Sequence, residues 1–369
     1  MVRVLRMAED VGYLSNKLMA LEVGVGLAHL SGRTLSLPID APIGWGPRPA
    51  VDGDDAGEPS SLRDLFALPL TVLGDEEYDQ LVGAHPVLTV DWPDLHQVVY
   101  SDPPARQQGE ERFEAFAHGR PAVTFDPDWA DAPILDLTAR GLASYSYFFH
   151  LTPEGRRTLF SLLEQIQPKQ SYRELASSVV AELGRFNAVH IRRTDHLVGV
   201  PAYRQVTPWM IRDNLASVLP SHERLVVCTE ADPDSDVFKP LRSHFGEVVF
   251  LTQHLLDDPV WRAPFAALER HDDSALAMIT QEVAARADRF VGTFASTFTA
   301  IIHRRRRLAD PNEPFMFTAD FLGGETRFER CTYLPVVDGP FTWNRLGYPV
   351  GPGVLAWMRE WPEVRLPDT

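Results

Sequence analysis

A chain of 369 residues is longer than one ordinary hydrophobic core requires and short for three, so two domains are expected. Hydrophobic residues make up 44% of the chain and charged residues 23%, which is typical of a globular protein and argues against disorder. The 35 basic and 51 acidic residues give a net charge of −16, which argues against nucleic-acid binding as the main task. A negatively charged substrate would therefore need a local basic site.

The cysteine content and the first residues predict a cytoplasmic protein. Cys228 and Cys331 are too few to cross-link a secreted scaffold of this length, so a reducing compartment fits best. Acidic residues at positions 9 and 10 argue against a signal peptide. No segment approaches the 18 apolar residues of a membrane span, so none is expected.

The first 38 residues predict a β-loop-α-β opening. Residues 2–7 have the apolar, β-rich character of a strand, and a Gly-containing loop at 12–16 leads into a helix over 16–30. A second short strand is predicted at 34–38. Residues 40–60, rich in Pro, Gly and acidic residues, are interpreted as a surface loop, and the Pro-rich stretches near 93–133 as irregular apart from a helix near 110–117.

A second α/β series follows a predicted helix at 153–167. Pro168 cannot continue that helix, so we predict an N-terminal domain at 1–168 and a C-terminal domain at 169–369, whose last helix packs back on the first domain. Strands alternating with helices of 10 to 15 residues indicate a parallel sheet covered on both faces. The predicted strands are 186–191, 224–229, 248–251 and 289–292, and the predicted helices are 172–183, 208–219, 236–245, 274–286 and 296–306.

The strongest local signal for chemistry is the segment from His190 to Asp195, His-Ile-Arg-Arg-Thr-Asp. It lies where an apolar strand ends, and open α/β sheets bind ligands at the carboxyl ends of their strands. Arg192 and Arg193 suit a diphosphate, because a guanidinium donates two parallel hydrogen bonds and stays charged, and Asp195 could orient one of them. The alternative is a surface ion-pair cluster without a ligand.

A second signal is the passage from a strand through Gly292 and Thr293 into a helix that begins near Ser296. Free backbone N–H groups and the positive end of the helix macrodipole make such a junction a phosphate site, and the hydroxyls of Ser296 and Thr297 can add donors. The alternative is ordinary N-capping by Ser or Thr.

Three weaker signals have ordinary structural explanations as well. Thr229 ends a hydrophobic strand and could face the same crevice, or could cap a turn. Gly12 permits close backbone approach and Asn16 can offer its amide, although both are common turn residues. The basic run 303–307 lies at the far end of the predicted helix 296–306 and is interpreted as a solvated helix terminus.

Taken together, these segments resemble the fucosyltransferase superfamily of protein O-fucosyltransferases, α1,6-fucosyltransferases and bacterial nodulation fucosyltransferases. The turn from Gly12 to Asn16 is similar to the family's glycine-rich turn before a long helix. The segment His190–Asp195 looks like its His-x-Arg-Arg-x-Asp signature, and 287–299 looks like its third motif. Thr229 falls where the second motif ends its strand.

The resemblance implies an α/β GT-B fold with two facing Rossmann-like domains, and an inverting, metal-independent transfer of fucose from GDP-β-L-fucose to a hydroxyl acceptor. No metal site and no cofactor beyond the donor are expected. Arg192 would be catalytic, binding the β-phosphate and stabilising it as the leaving group. The residues expected to bind substrate are Gly12, Asn16, His190, Arg193, Asp195, Thr229, Ser296, Thr297 and Phe298.

Three departures from the family pattern keep alternatives open. Thr280 stands where the family commonly has an Asp that contacts guanine, Asp10 rather than a residue next to Gly12 is the available base, and Glu230 stands where Asp is usual. A same-fold transferase for another nucleotide sugar and a non-catalytic nucleotide-sugar-binding protein are therefore the alternatives. The acceptor stays open among glycan, protein and small molecule. Trp45, Trp92 and Trp129 are candidates to stack on a sugar or to fill the core.

Overall fold

A computed structural model describes most of two compact units, one containing Met1–Lys169 and the other Gln170–Leu334. The described residues are 2–8, 12–44, 59–68, 71–90, 127–137, 158, 161–193, 206–293, 296–310, 315–316, 330–331, 342–343 and 349–350. The predicted boundary after residue 168 lies beside this division. The predicted last helix falls outside the described residues.

The first unit is built on a five-stranded sheet in which every pairing is parallel. Its strand order is β4-β2-β1-β6-β5. Two short strands, β3 and β7, form a separate antiparallel pair. The seven strands are β1 (Val4–Met7), β2 (Thr34–Ser36), β3 (Phe66–Ala67), β4 (Val72–Leu73), β5 (Val87–Val90), β6 (Ile134–Leu137) and β7 (Gln167–Pro168).

Helix α1 (Leu14–Ser31) connects β1 to β2 and packs against both strands. It ends at Gly32, whose φ of 61° is left-handed and whose N–H bonds back to the carbonyl of His29. The other helices of this unit are α2 (Leu62–Leu65), α3 (Asp75–Val82) and α4 (Pro127–Ala130).

The second unit carries a four-stranded parallel sheet in the order β10-β9-β8-β11. All six residues of β8 are buried, as expected for an apolar strand inside a parallel sheet. The strands of this sheet are β8 (Phe186–Ile191), β9 (Arg224–Thr229), β10 (Glu247–Phe250) and β11 (Phe290–Val291). The short strands β12 (Phe315–Met316) and β13 (Arg330–Cys331) follow in the same unit, whereas β14 (Thr342–Trp343) has one residue in each unit and β15 (Pro349–Val350) belongs to the first unit.

Seven α-helices of the second unit are described around this sheet. The side chains of Tyr172 and Phe238 are fully buried in the core of this unit. The helices are α5 (Gln170–Leu183), α6 (Pro208–Ala216), α7 (Lys239–His244), α8 (Leu251–Asp257), α9 (Pro259–Ala266), α10 (Asp273–Ala284) and α11 (Thr297–Ala309), with a 3-10 turn at Asp236–Phe238 before α7.

The α/β class and the parallel sheet predicted for the second half are confirmed, with β8 and β9 at the predicted positions. Several details differ. The predicted helix 236–245 is a 3-10 turn followed by a short helix that has Pro240 in its first turn. In the described part of the stretch predicted to be irregular, 127–133, there is one short helix, α4, while the elements between 62 and 90 lie in a segment for which none was predicted. Most of the predicted loop 40–60 and the predicted helix at 110–117 lie outside the described residues. No helix in the described ranges is long and apolar enough to cross a membrane.

Candidate functional site

The carboxyl end of β8 and the start of α11 are joined by one buried threonine. The Thr293 hydroxyl donates to the carbonyl of His190 at 2.7 Å and accepts from the backbone N–H of Arg192 at 3.0 Å. Thr293 is 1% exposed and lies in the loop between β11 and α11. Residues 190–192 and the loop before α11, about 100 positions apart in sequence, therefore form one site.

A second threonine fixes the imidazole of His190 in this site. Thr299 Oγ1 lies 2.8 Å from His190 Nδ1, and the same oxygen accepts from the N–H of Thr293 at 3.0 Å. The ring of Phe298 lies against the imidazole with a centroid distance of 4.6 Å. His190 is held on its edge by a hydroxyl and on its face by an aromatic ring.

The start of α11 has a helix N-cap whose hydroxyl does not cap. Ser296 has an extended backbone and makes no side-chain bond to the first turn. Its side chain is fully buried, and its Oγ has no hydrogen-bond partner among the residues that the structure describes. A buried hydroxyl without a partner costs free energy, so the start of α11 holds a hydrogen-bond donor that the described residues do not use. Thr297 and Phe298 follow, both half-buried.

Arg193 and Glu230 tie β8 to its neighbouring segments. The backbone N–H of Arg193 donates to Glu230 Oε1 at 3.0 Å, and its guanidinium donates to the Val206 carbonyl at 2.7 Å. Burial lowers the pKa of Arg193 from its ordinary value. The Thr229 hydroxyl donates to the Ile191 carbonyl and accepts from the N–H of Ala231, which favours the capped turn. Glu230 thus has a structural role that the sequence did not suggest.

Gly12 and Asn16 lie in the other unit, at the turn from β1 to α1. Gly12 has a φ of 130°, and a Cβ there would lie 2.2 Å from Asn16 Nδ2, so the amide occupies the space that glycine leaves. Lys17 follows on α1 with only 5% of its surface exposed, and burial lowers its pKa to about 8. Sequence analysis missed this buried lysine, because it stands next to a polar residue at a helix start.

The interpretation of 303–307 as a solvated helix terminus was wrong. His303 is fully buried, and Arg304 and Arg306 are less than one tenth exposed. The Arg306 guanidinium donates to the carbonyls of Ala285, Ala287 and Asp288, and Arg305 forms an ion pair with Glu282. Arg306 therefore binds carbonyls of the segment that connects α10 to β11, and Arg305 pairs with an acid on α10 itself.

Several candidates lie outside the described residues, namely Asp195, Asp10, Trp45 and Trp92. Trp129 is buried, in agreement with a place in the core. Thr280 lies on α10, is 4% exposed, and its Oγ1 has no partner among the described residues.

One group of potential metal ligands occurs among the described residues, at Glu182, His254 and Asp258. His254 lies between the two carboxylates, with Nε2 3.5 Å from Glu182 and Nδ1 3.8 Å from Asp258. Glu182 also accepts from the indole N–H of Trp261. Glu182 is in the last turn of α5, ahead of the amino end of β8, so it is not part of the site at the strand's carboxyl end.

No protein-family model matches the sequence, and no curated protein matches it. Among solved structures, NodZ α1,6-fucosyltransferase soaked with GDP-fucose aligns over 90% of this chain and 99% of its own, with 15% identity and a TM-score of 0.52. Selenomethionine NodZ from Bradyrhizobium aligns over the same shares with 14% identity and a TM-score of 0.52.

The chain has a fucosyltransferase-like fold. The alignment covers nearly the whole of the NodZ chain, so the similarity includes both units rather than one common nucleotide-binding module. The GT-B class implied by the motifs is confirmed at the level of the fold. At 15% identity the fold alone follows, and the activity must be argued from the residues.

Proposed function

We propose that this protein is an inverting, metal-independent glycosyltransferase that moves L-fucose from GDP-β-L-fucose to a hydroxyl acceptor. The observation that carries the proposal is the junction of β8 with the start of α11 through Thr293, beside the buried hydroxyl of Ser296, which has no partner among the described residues. NodZ, which has the same fold, was soaked with GDP-fucose. The residues proposed to bind the donor are the ones that the family motifs indicate, namely Gly12, Asn16, His190, Arg193, Asp195, Thr229, Ser296, Thr297 and Phe298.

The site supplies the two elements that a diphosphate needs. The first is the start of α11, a helix of 13 residues whose first-turn N–H groups and macrodipole favour an anion. The second is positive charge from Arg192, whose backbone is fixed next to that helix by Thr293. Since the chain as a whole carries a charge of −16, this local donor set is what would attract a GDP moiety.

In the proposed reaction, the acceptor oxygen attacks the anomeric carbon of fucose from the face opposite the nucleotide. The bond from that carbon to the β-phosphate oxygen breaks, and its electron pair leaves with GDP. The acceptor proton passes to a base, for which Asp10 is the candidate. Arg192 and the helix start stabilise the charge that develops on the leaving β-phosphate, which is the usual task of preorganised donors when no metal is used.

The test is GDP-fucose turnover by Arg192→Ala in the presence of a chelator. Removal of one such donor lowers turnover by about 100-fold or more, since the charge of the leaving group is then unbalanced. Arg185→Ala is the matched control, because Arg185 is 74% exposed and pairs only with surface acids in the described part of the second unit. Normal turnover by Arg192→Ala would show that the catalytic assignment is wrong.

A same-fold transferase for another nucleotide sugar is the second candidate. Thr280, in place of the family's Asp, has a buried hydroxyl without a described partner and cannot offer a carboxylate to a guanine edge. GDP binding without turnover over many acceptors would instead favour a non-catalytic binding protein.

A further inference from the structure

The hydrogen bonds around Thr299 decide where the proton of the His190 ring lies. Thr299 is fully buried, and its Oγ1 has two neighbours, the N–H of Thr293 at 3.0 Å and His190 Nδ1 at 2.8 Å. A hydroxyl has one proton to donate and two lone pairs that accept. The Thr293 N–H already uses one lone pair, so the remaining question is the direction of the bond to Nδ1.

Among the described residues, only one direction of this bond pairs the hydroxyl proton of Thr299. If Nδ1 carried the proton and donated it to Oγ1, the hydroxyl proton of Thr299 would be buried with no acceptor in the described part of the chain. Leaving a buried donor unpaired costs free energy, whereas the opposite direction pairs it with the Nδ1 lone pair. Among the described residues, the hydroxyl proton of Thr299 is therefore paired when Thr299 donates to Nδ1, which requires the proton of the neutral ring to lie on Nε2.

We propose that Thr299 is a positioning residue that holds His190 as the Nε2–H tautomer. In this tautomer Nε2 carries a hydrogen-bond donor, and Nδ1 cannot act as the base that deprotonates the acceptor hydroxyl, because its lone pair accepts from Thr299. The identification of the group that accepts from Nε2 with a phosphate of the donor rests on the proposed function. The proton assignment itself does not.

Gly292 makes this arrangement possible. A Cβ at position 292 would lie 2.1 Å from Thr299 Cγ2 and 2.8 Å from its Oγ1, far inside van der Waals contact. Thr299 can therefore occupy its position because residue 292 has no side chain. Through Thr293, the same loop also holds the carbonyl of His190 and the N–H of Arg192, so ring and backbone are set together.

The tautomer is measured by long-range ¹H–¹⁵N NMR on nucleotide-free protein labelled at histidine, with His190→Gln to assign the resonances. We expect the shift of an unprotonated nitrogen at Nδ1 and of a protonated nitrogen at Nε2. Thr299→Ser, which keeps the hydroxyl, should keep this pattern. Thr299→Val, which keeps the shape, should lose the Nδ1 hydrogen bond and mix the tautomers. A proton on Nδ1 in the unaltered protein overturns the proposal.

The functional consequence is measured separately, by calorimetric titration with GDP. Thr299→Val and Gly292→Ala should raise the Kd by about tenfold or more, and Thr299→Ser should restore it to nearly the original value. If circular dichroism shows that Thr299→Val and Gly292→Ala do not fold, the NMR spectra of the unaltered protein and of Thr299→Ser still decide the tautomer of His190. Absence of GDP binding in the unaltered protein contradicts the proposed function and leaves the tautomer measurement intact. An unchanged tautomer in folded Thr299→Val overturns the positioning role.

Discussion

Ser296 illustrates how a single buried hydroxyl can mark a site. Serine at a helix N-cap normally accepts a bond from the first turn, as Thr207 does for Met210 at the start of α6. Ser296 occupies the same position in α11, yet its Oγ has no partner among the described residues and no exposure to solvent. A phosphate oxygen that accepts from it, after a small movement of the helix start exposes the hydroxyl, would supply the missing partner.

We predict that Ser296→Ala weakens GDP binding without weakening the fold. A hydrogen bond to a charged group contributes roughly 1.5–3 kcal/mol, so the Kd for GDP should rise about tenfold or more. The free energy of unfolding should change by less than about 0.5 kcal/mol, because no capping bond is lost. Urea unfolding and calorimetry measure the two effects.

Asp272→Ala is the matched control. Asp272 caps α10 through the N–H of Ala275 at 3.0 Å, so its loss should cost about 1 kcal/mol of unfolding free energy and leave GDP affinity unchanged. If Ser296→Ala behaved like Asp272→Ala, the hydroxyl would be structural.

Gly12 gives a second prediction of this kind. Gly12→Ala should lower unfolding free energy by about 2 kcal/mol or more, because the positive φ strains an L residue and the new Cβ must displace the Asn16 amide. Gly32→Ala, also at positive φ but with open space around it, should cost about 1 kcal/mol and keep GDP-fucose turnover. Turnover should fall for Gly12→Ala. Equal turnover in the two variants would contradict a role for Asn16.

The elements show which patterns in the sequence were informative. β8 and β9 were predicted at their observed bounds because they are continuous apolar runs inside a parallel sheet. β4 has only two residues and β5 three exposed ones, so neither shows the pattern of a buried strand. Helices α8 and α9 were missed because Pro259 and Pro264 interrupt the segment, although Pro259 occupies the first position of α9, where proline is tolerated.

The burial of Arg306 predicts a large effect on stability. Arg306→Ala should lower the free energy of unfolding by about 3 kcal/mol or more, because three carbonyls in the segment between α10 and β11 lose their donor. Arg306→Lys should recover only part of this, since an ammonium lacks the planar fork. Urea denaturation measures both. A loss of unfolding free energy below about 0.5 kcal/mol in Arg306→Ala would indicate that the guanidinium is solvated and would contradict its structural role.

At the scale of the whole molecule, the motifs could be predicted from the sequence, but the hydrogen bonds that join them could not. Two units with parallel sheets, and motifs that follow strand ends, were accessible from sequence because strand and helix periods are local. The bonds that assemble the site join residues 190–192 to 293–299, and no local pattern marks Thr293 or Thr299 as their partners. The burial of His303, Arg304 and Arg306 was not predicted for the same reason, since the acceptors of Arg306 lie after α10, about twenty positions earlier in the sequence.

A panel of nucleotides tests the donor class for the intact protein. With GDP, UDP, ADP and dTDP compared in a chelator, GDP should give the largest rise in Tm, because a ligand at 100 times its Kd stabilises by about 2.7 kcal/mol. GDP-fucose turnover should also survive the chelator. A larger rise with another nucleotide would favour the second candidate, and loss of turnover on chelation would contradict metal independence.

The location of the nucleotide is tested most directly by amide hydrogen exchange with and without GDP. We predict protection concentrated at residues 190–193 and 293–299, where backbone N–H groups of β8, the loop and the start of α11 meet. Protection at Glu182 and His254, or none at these two segments, would contradict a nucleotide site at the junction of β8 and α11.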